Sequence, residues 1–252
     1  MVIGKFYNSK TLGNYNKGEQ FPKLIAVNVE NSLSAVMLSV FSREQDSKDE
    51  LKRMLRKTVI VSSFVIFPMM LGLSAIAKNI VIILLTEKWL GCVSYMQLLC
   101  VVYMFYPLNS ANSQAIKSVG KSDTFLKVEI AKKSLGIIAL FLTVKSGVYY
   151  IVLGQVFAAI GGALINAYPN KKILGYGCLN QIKDIFLTLI ISLIMFIIVL
   201  LVGQINLNIY LVVLLQILIG VIVYFLIAKL LKLEAFDYIN NIVKNKLKKG
   251  KK

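Results

Sequence analysis

The sequence predicts an all-α, polytopic transmembrane helical bundle of about seven spans, and three observations predict it. First, the 252 residues are 57% hydrophobic and 16% charged, with a mean hydropathy of +0.72. Soluble domains are typically about 45–50% apolar and about 25% charged. Second, the excess sits in runs close to the ~20 apolar residues that a bilayer crossing needs. Third, the basic residues lie between those runs and in the tail "KNKLKKGKK", where membrane topology places them. A net charge of +17 therefore points to the lipid bilayer as partner. No basic face with interleaved aromatics appears on a soluble domain, which argues against nucleic acid.

Residues 1–20 read as a helix end, "MVIG", followed by an extracytoplasmic loop. No signal-peptide pattern with a charged start and a long apolar core precedes them. The first predicted span covers 21–42, "FPKLIAVNVENSLSAVMLSVFS". At 100° per residue, Ile25, Val29, Leu33, Val36 and Val40 share one face. Asn28, Glu30, Asn31, Ser34 and Ala35 spread over the other. Glu30 lies about 13 Å beyond Phe21 at 1.5 Å per residue, near the middle of a core about 30 Å thick. A carboxylate there costs roughly 2.5–3.5 kcal/mol on insertion scales. Such groups face a bundle interior or an aqueous cavity, so Asn28, Glu30 and Asn31 are expected to line a cavity. Satisfaction by a neighbouring helix is the alternative.

Ser47-Lys48-Asp49-Glu50 fits a capping box that starts the helix of the second span, 55–77. Lys52, Arg53, Arg56 and Lys57 form its cytoplasmic collar. Residues 79–86, "NIVIILLT", are too few to cross. With Lys88 and Trp89 after them they predict a short helix at or dipping into the surface, the alternative being an extension of the preceding helix. In the third span, 93–116, Pro107 removes a backbone donor and predicts a kink. Asn109, Asn112 and Ser113 share one face there, with Lys117 a turn beyond, so they line either the same cavity or an interhelical polar seam. In the fourth span, 125–144, Lys132 and Lys133 either snorkel to the surface or face an anionic head group. In the fifth, 148–168, Gly154, Ala158 and Gly162 recur every four residues, which permits close helix packing. Spans six and seven, 181–202 and 209–230, are the most apolar. The resulting divisions are 1–20, a bundle of five spans at 21–170, two further spans at 171–233 and a basic cytoplasmic tail at 234–252. With that tail inside, alternation puts 22 of the 29 Lys and Arg on the cytoplasmic side and 7 on the other, as positive-inside bias requires.

Catalysis finds little support. Histidine is absent and Cys92, Cys100 and Cys178 form no CxxC pair, which argues against a disulfide framework and an ordinary zinc site. No nucleophile–base pair, repeated acidic pair or Walker A sequence is present, so no cofactor is expected and energy would come from an ion or substrate gradient.

The ordered motifs "IGKFYNSKTLGNYNKGEQFP", "SREQDSKDELKRMLRKT", "FPMMLGLSAIA", "LLTEKWL", "GKSDTFLKVEIAKK" and "INAYPNKKILGY" resemble the C-terminal half of a polysaccharide-repeat flippase. These flippases are the O-antigen and capsule branch of the multidrug/oligosaccharidyl-lipid/polysaccharide exporter superfamily. The resemblance implies the second lobe of a two-lobe exporter fold plus two extra helices, in the bacterial inner membrane. The implied activity is flipping of an undecaprenyl-diphosphate-linked oligosaccharide. Lys117, Lys132 or Lys133 would attract the diphosphate, and Asn31, Asn109 and Asn112 would meet sugars. By the family pattern the chain lacks the first lobe and most of the next helix. It is thus expected to be a fragment, an alternative start or one part of a split transporter, its N-terminal lobe on another chain. A drug or cation antiporter of the same superfamily, using Glu30, is the alternative within the fold. A membrane-embedded sugar transferase or polymerase is the alternative outside it, and the short outside loops argue against that.

Overall fold

The computed structural model describes residues 7–41, with side chains through 32, and residues 47–240. The helix end expected in "MVIG", the stripe positions Leu33, Val36 and Val40, and the basic tail beyond residue 240 lie outside the described residues. Among the described residues the secondary structure is helical, without a strand.

Helix α1 spans Ser9–Phe41 and α2 spans Lys48–Leu85. A 3-10 segment, Glu87–Cys92, leads into α3, Val93–Met104, and α4, Tyr106–Ser118. Then come α5, Ser122–Thr143, α6, Val148–Leu174, α7, Cys178–Val202, and α8, Ile209–Leu230. Residues 234–240 are helical as well. Taking the 3-10 segment, α3 and α4 as one unit, five units are long and apolar enough to cross a membrane: α2, that composite, α6, α7 and α8. The chain is a multi-pass membrane protein.

Of the expected spans, 125–144 falls outside those five, and residues 33–42 of the span 21–42 lie outside the described side chains. Helix α5 carries Lys127, Glu129, Lys132 and Lys133 within its first twelve residues and is apolar only beyond them. Helix α1 is polar over its described side chains and starts twelve residues before the predicted span. Asn8 begins it: its Oδ1 accepts from Thr11 N at 2.8 Å and from Thr11 Oγ1 at 2.7 Å, which satisfies a first-turn donor. The predicted loop is therefore helix from residue 9. Tertiary packing overrides its polar composition, since Leu12 and Tyr15 pack on the cluster of Leu99, Val148, Ile151 and Val152.

The start of α2 follows its sequence signal. Ser47 is extended and its hydroxyl accepts from Glu50 N at 3.4 Å. The Glu50 side chain turns instead to Arg53, so the reciprocal half of the box is not made. The short surface helix at 79–86 is corrected: residues 79–85 extend α2. Ala77 and Val81 are buried against Cys92 and Met96, which holds this run inside the bundle. Thr86, at φ 75°, ends it, and Trp89 sits on the 3-10 segment with Lys17 Nζ 5.5 Å from its ring centroid. The break predicted by Pro107 falls at Phe105, with the proline in the first turn of α4, where its missing N–H costs least.

Helix α2 is the axis of the bundle. Of its apolar window 56% is buried, against 28–33% for the other four units. At one end Leu51, Leu55 and Val59 pack with Ala111, Ala115, Leu174 and Tyr176. In the middle Phe64, Phe67 and Met70 meet Ile191, Met195 and Tyr224. The other end is the Ala77–Val81 cluster. The small-residue face of α6 packs on α5 as its spacing predicts: a Cβ on Gly154 would lie 3.1 Å from Thr143, and one on Gly162 would lie 3.7 Å from Lys132.

Candidate functional site, an apolar groove beside a polar seam

The expected polar positions separate into three places. On α1, Asn28 and Asn31 are exposed and Glu30 is half-buried, while Ile25 and Val29 of the opposite stripe pack on the central core. The predicted division into packing and polar faces therefore holds over the described part of α1. Asn28 Nδ2 donates to Leu24 O at 2.9 Å within its own helix.

On α4 the outcome is the seam. Asn112 is 2% exposed. It exchanges hydrogen bonds with Gln181 of α7 at 2.9 and 2.7 Å, and its Oδ1 also accepts from Asn170 Nδ2 of α6 at 2.7 Å. One turn earlier, Asn166 Nδ2 donates to Asn109 O at 2.7 Å and lies 3.2 Å from Ser113 Oγ. Of the two alternatives for Asn112, its described contacts are those of the interhelical seam: its amide ties three helices together. Asn109 stays half-buried at the edge of the seam. Gln181, Asn166 and Asn170 were not singled out for this role by the sequence, because one amide per turn in an apolar helix carries no sign of its partner.

The lysines have separate contacts. Lys117 is exposed, with its Nζ 4.1 Å from the Phe125 ring centroid. Lys132 pairs with Glu129 at 2.5 Å within α5, both side chains partly buried. Lys133 is exposed. Of the α5 pair, Lys132 packs its stem beside Gly162 of α6, and Lys133 is the more exposed.

An open-sided cavity of about 560 Å³ lies between α2, α7 and α8, with Ile25 of α1 and Ile239 also in its lining. Its walls are apolar, Phe64, Met69, Leu73, Met195, Val221 and Phe225 among them, and Gln216 is the amide that reaches it. Pro68 stands in its wall. A proline inside a helix leaves the carbonyl four residues back without its donor, here Phe64 O. Tyr224 of α8 donates its hydroxyl to that oxygen at 2.7 Å, the repair by a neighbouring helix that membrane proteins use. Toward the other end, Asn79 Nδ2 donates to Gln216 Oε1 at 3.2 Å, and Gln216 Nε2 donates to Val199 O at 2.9 Å.

An ion cluster closes the end of the bundle near residue 240. Arg56 bonds Asp184 of α7 at 3.1 and 3.2 Å and Glu234 at 3.0 and 2.7 Å. Tyr176 donates to Asp184 Oδ2 at 2.7 Å, and Lys57 Nζ lies 3.7 Å over the Tyr238 ring centroid. Burial, then the hydrogen bond to Asp184, pushes the Tyr176 phenol well above its ordinary range. Arg56 and Glu234 are 41% and 61% exposed at their side chains, so that pair contributes about 1 kcal/mol at most. The sequence marked Arg56 as collar but gave no sign of its acidic partners, which lie 128 and 178 residues away. Among the described residues no group of His, Cys, Asp and Glu could hold a metal ion.

The described residues thus form a helical membrane bundle around a buried central helix, with an apolar groove beside α2, α7 and α8. Comparison with known proteins gives the following likenesses. Residues 1–94 match the family model described as polysaccharide biosynthesis protein. An uncharacterized membrane protein in the cps region of Klebsiella pneumoniae is 28% identical over 79% of this chain and 41% of its own length. The lipopolysaccharide biosynthesis protein WzxC of Escherichia coli (strain K12) is 23% identical over 77% and 40%. The teichuronic acid biosynthesis protein TuaB of Bacillus subtilis (strain 168) is 21% identical over 70% and 36%. The chain thus spans about two fifths of the length of the curated relatives it matches. The lipid II flippase MurJ, in an inward closed conformation, has the same fold: TM-score 0.72 at 20% identity, over 88% of this chain and 47% of that one.

Proposed function

We propose that this chain is part of a flippase that moves an undecaprenyl-diphosphate-linked oligosaccharide repeat unit across the bacterial inner membrane for surface polysaccharide synthesis. The observation that carries the reading is the apolar groove of about 560 Å³ along α2, α7 and α8, in a bundle that shares its fold with a lipid flippase. A long hydrocarbon chain gains roughly 0.8 kcal/mol per CH₂ removed from water. Its carrier must therefore keep the chain in apolar surroundings while the head crosses. The groove offers such surroundings, and the exposed amides of α1, Asn28 and Asn31, offer hydrogen bonds to sugar. The relatives named for lipopolysaccharide and teichuronic acid biosynthesis support the same substrate class. The basic loops face the cytoplasm, and the first lobe of the exporter is supplied by a further segment or another chain. Alternating access in such folds comes from one lobe rocking against the other, so the described bundle needs that lobe to transport.

Complementation tests this. In a strain lacking its O-unit flippase, the chain alone leaves surface polysaccharide absent, and the chain joined to the first lobe of a relative such as WzxC restores it. Restoration by the chain alone would remove the two-lobe requirement. Failure of the joined protein, with both halves present in the membrane, would remove the flippase reading.

A further inference from the structure

We infer that α2 is a two-segment lever hinged at Pro68, whose bend sets the width of the apolar groove, with the Asn79–Gln216 amide pair as the latch. The inference deepens the flippase reading but rests on the groove's geometry and not on what the groove holds.

Four observations meet at one place. Pro68 interrupts the hydrogen-bond ladder of a 38-residue helix, and sharp bends in helices localise at such residues. One turn before it, Ser62 and Ser63 donate their hydroxyls back to Val59 O at 3.1 Å and Ile60 O at 2.9 Å, a pattern that favours bending. One turn after it, Gly72 leaves the wall thin: a Cβ there would meet Met195 Cε at 3.7 Å. The cavity then lies directly beside the joint, with Pro68 and Met69 in its wall, so on that side a bend has open space to move into, while Phe67 and Met70 on the other side stay packed in the core. A bend in a fully packed core would meet atoms at once.

The two segments are held differently. The N-terminal half carries Leu51, Leu55 and Val59 in one cluster, is tied to α7 and to Glu234 through Arg56, and is pinned to α8 by Tyr224. The C-terminal half carries Ala77 and Val81 in a separate cluster with the 3-10 segment and α3. Its described polar tie to α8 is Asn79–Gln216. Groove-lining residues sit on both sides of the joint, Phe64 and Val65 before it and Gly72, Leu73 and Ile76 after it. A change of angle at Pro68 therefore moves one wall against the other. The neutral amide pair is suited to a latch, because interhelical hydrogen bonds in membranes average only about 0.6 kcal/mol and break without stranding a charge.

Distances between spin labels test the lever in the full chain in lipid nanodiscs, with Cys92→Ala, Cys100→Ala and Cys178→Ser as background. One label pair, Leu84→Cys with Leu211→Cys, spans the latch end. The other, Lys48→Cys with Leu230→Cys, spans the pinned end. The expected result is that Gln216→Leu shifts the latch-end distribution to longer distances and leaves the pinned-end distribution in place. Pro68→Ala is expected to narrow the latch-end distribution to one population. An unchanged latch-end distribution in Gln216→Leu overturns the proposal, as does an equal shift at both ends, even if Pro68→Ala proves too unstable to purify. Because distances and not transport are read, failure here leaves the flippase reading standing, and the converse also holds.

Discussion

Gly18 shows how one missing methyl group positions a helix. A Cβ at that residue would stand 2.9 Å from Cys92 O and 3.0 Å from Met96 N, both backbone atoms that cannot rotate away. Gly18→Ala is therefore expected to destabilise the protein by about 1–3 kcal/mol, the usual cost of overpacking, read as a lower melting temperature in detergent. Gly136→Ala is the control. Nothing lies within 4 Å of its Cβ position, so replacing it changes stability by less than about 1 kcal/mol, on the favourable side, through helix propensity. The seam offers a second test at this scale. A double-mutant cycle of Asn112→Ala and Gln181→Ala is expected to return a coupling of about 0.6–1.7 kcal/mol, the range found for interhelical hydrogen bonds in membranes. A coupling near zero would show that the paired amides do not tie α4 to α7. The sequence displayed Asn112 on a polar face of the third span but left open whether water or a helix meets it, and it gave no sign of Gln181 as its partner. Helical spacing gives the direction of a side chain and says nothing of what stands opposite.

Boundaries of elements were legible where a local group sets them and not where packing does. Ser47 caps α2 and Pro107 opens α4, both as residue chemistry predicts. The start of α1 and the far end of α2 escaped, because a polar segment and a short apolar one became helix through contacts with distant residues. Ser47→Ala is expected to lower stability by about 0.5–2 kcal/mol through loss of the cap, measured as a shift in thermal unfolding. The link between α6 and α7 gives a pH test. Tyr176 is 1% exposed, and burial followed by its bond to Asp184 raises its pKa in the folded protein. The folded state then holds that proton to higher pH than the unfolded state does. Its contribution is fully present below the unfolded tyrosine value of about 10 and is lost as pH rises through the folded value. The melting temperature is expected to fall more steeply between about pH 9 and 11 in the native protein than in Tyr176→Phe. Parallel curves would mean that the phenol adds no pH-dependent stability.

At the scale of the whole molecule, the alternation of charge along the chain and the gathering of loops in space are independent observations, and they agree. The loops assigned to the cytoplasm by their basic residues come together at one end. Arg56 meets Asp184 and Glu234, Lys57 meets Tyr238, and Leu51 packs with Leu174 and Tyr176. Segments assigned to the other side meet at the opposite end: Lys17 lies on Trp89, and Tyr7 donates to Val144 O. An odd number of crossings between any two of these loops would have separated them. We propose that the end gathering these basic loops faces the cytoplasm, since moving Lys- and Arg-rich loops through the bilayer is opposed far more than moving their counterparts. The expectation is that Ser146→Cys, in a background lacking Cys178, reacts with a membrane-impermeant maleimide in intact cells. Lys232→Cys is expected to react only after permeabilisation. Reaction at 232 from outside would invert the molecule and place the Arg56 cluster in the periplasmic half. Reaction at both positions from outside would contradict the alternation itself, and with it the placement of α6, α7 and α8 as three successive crossings.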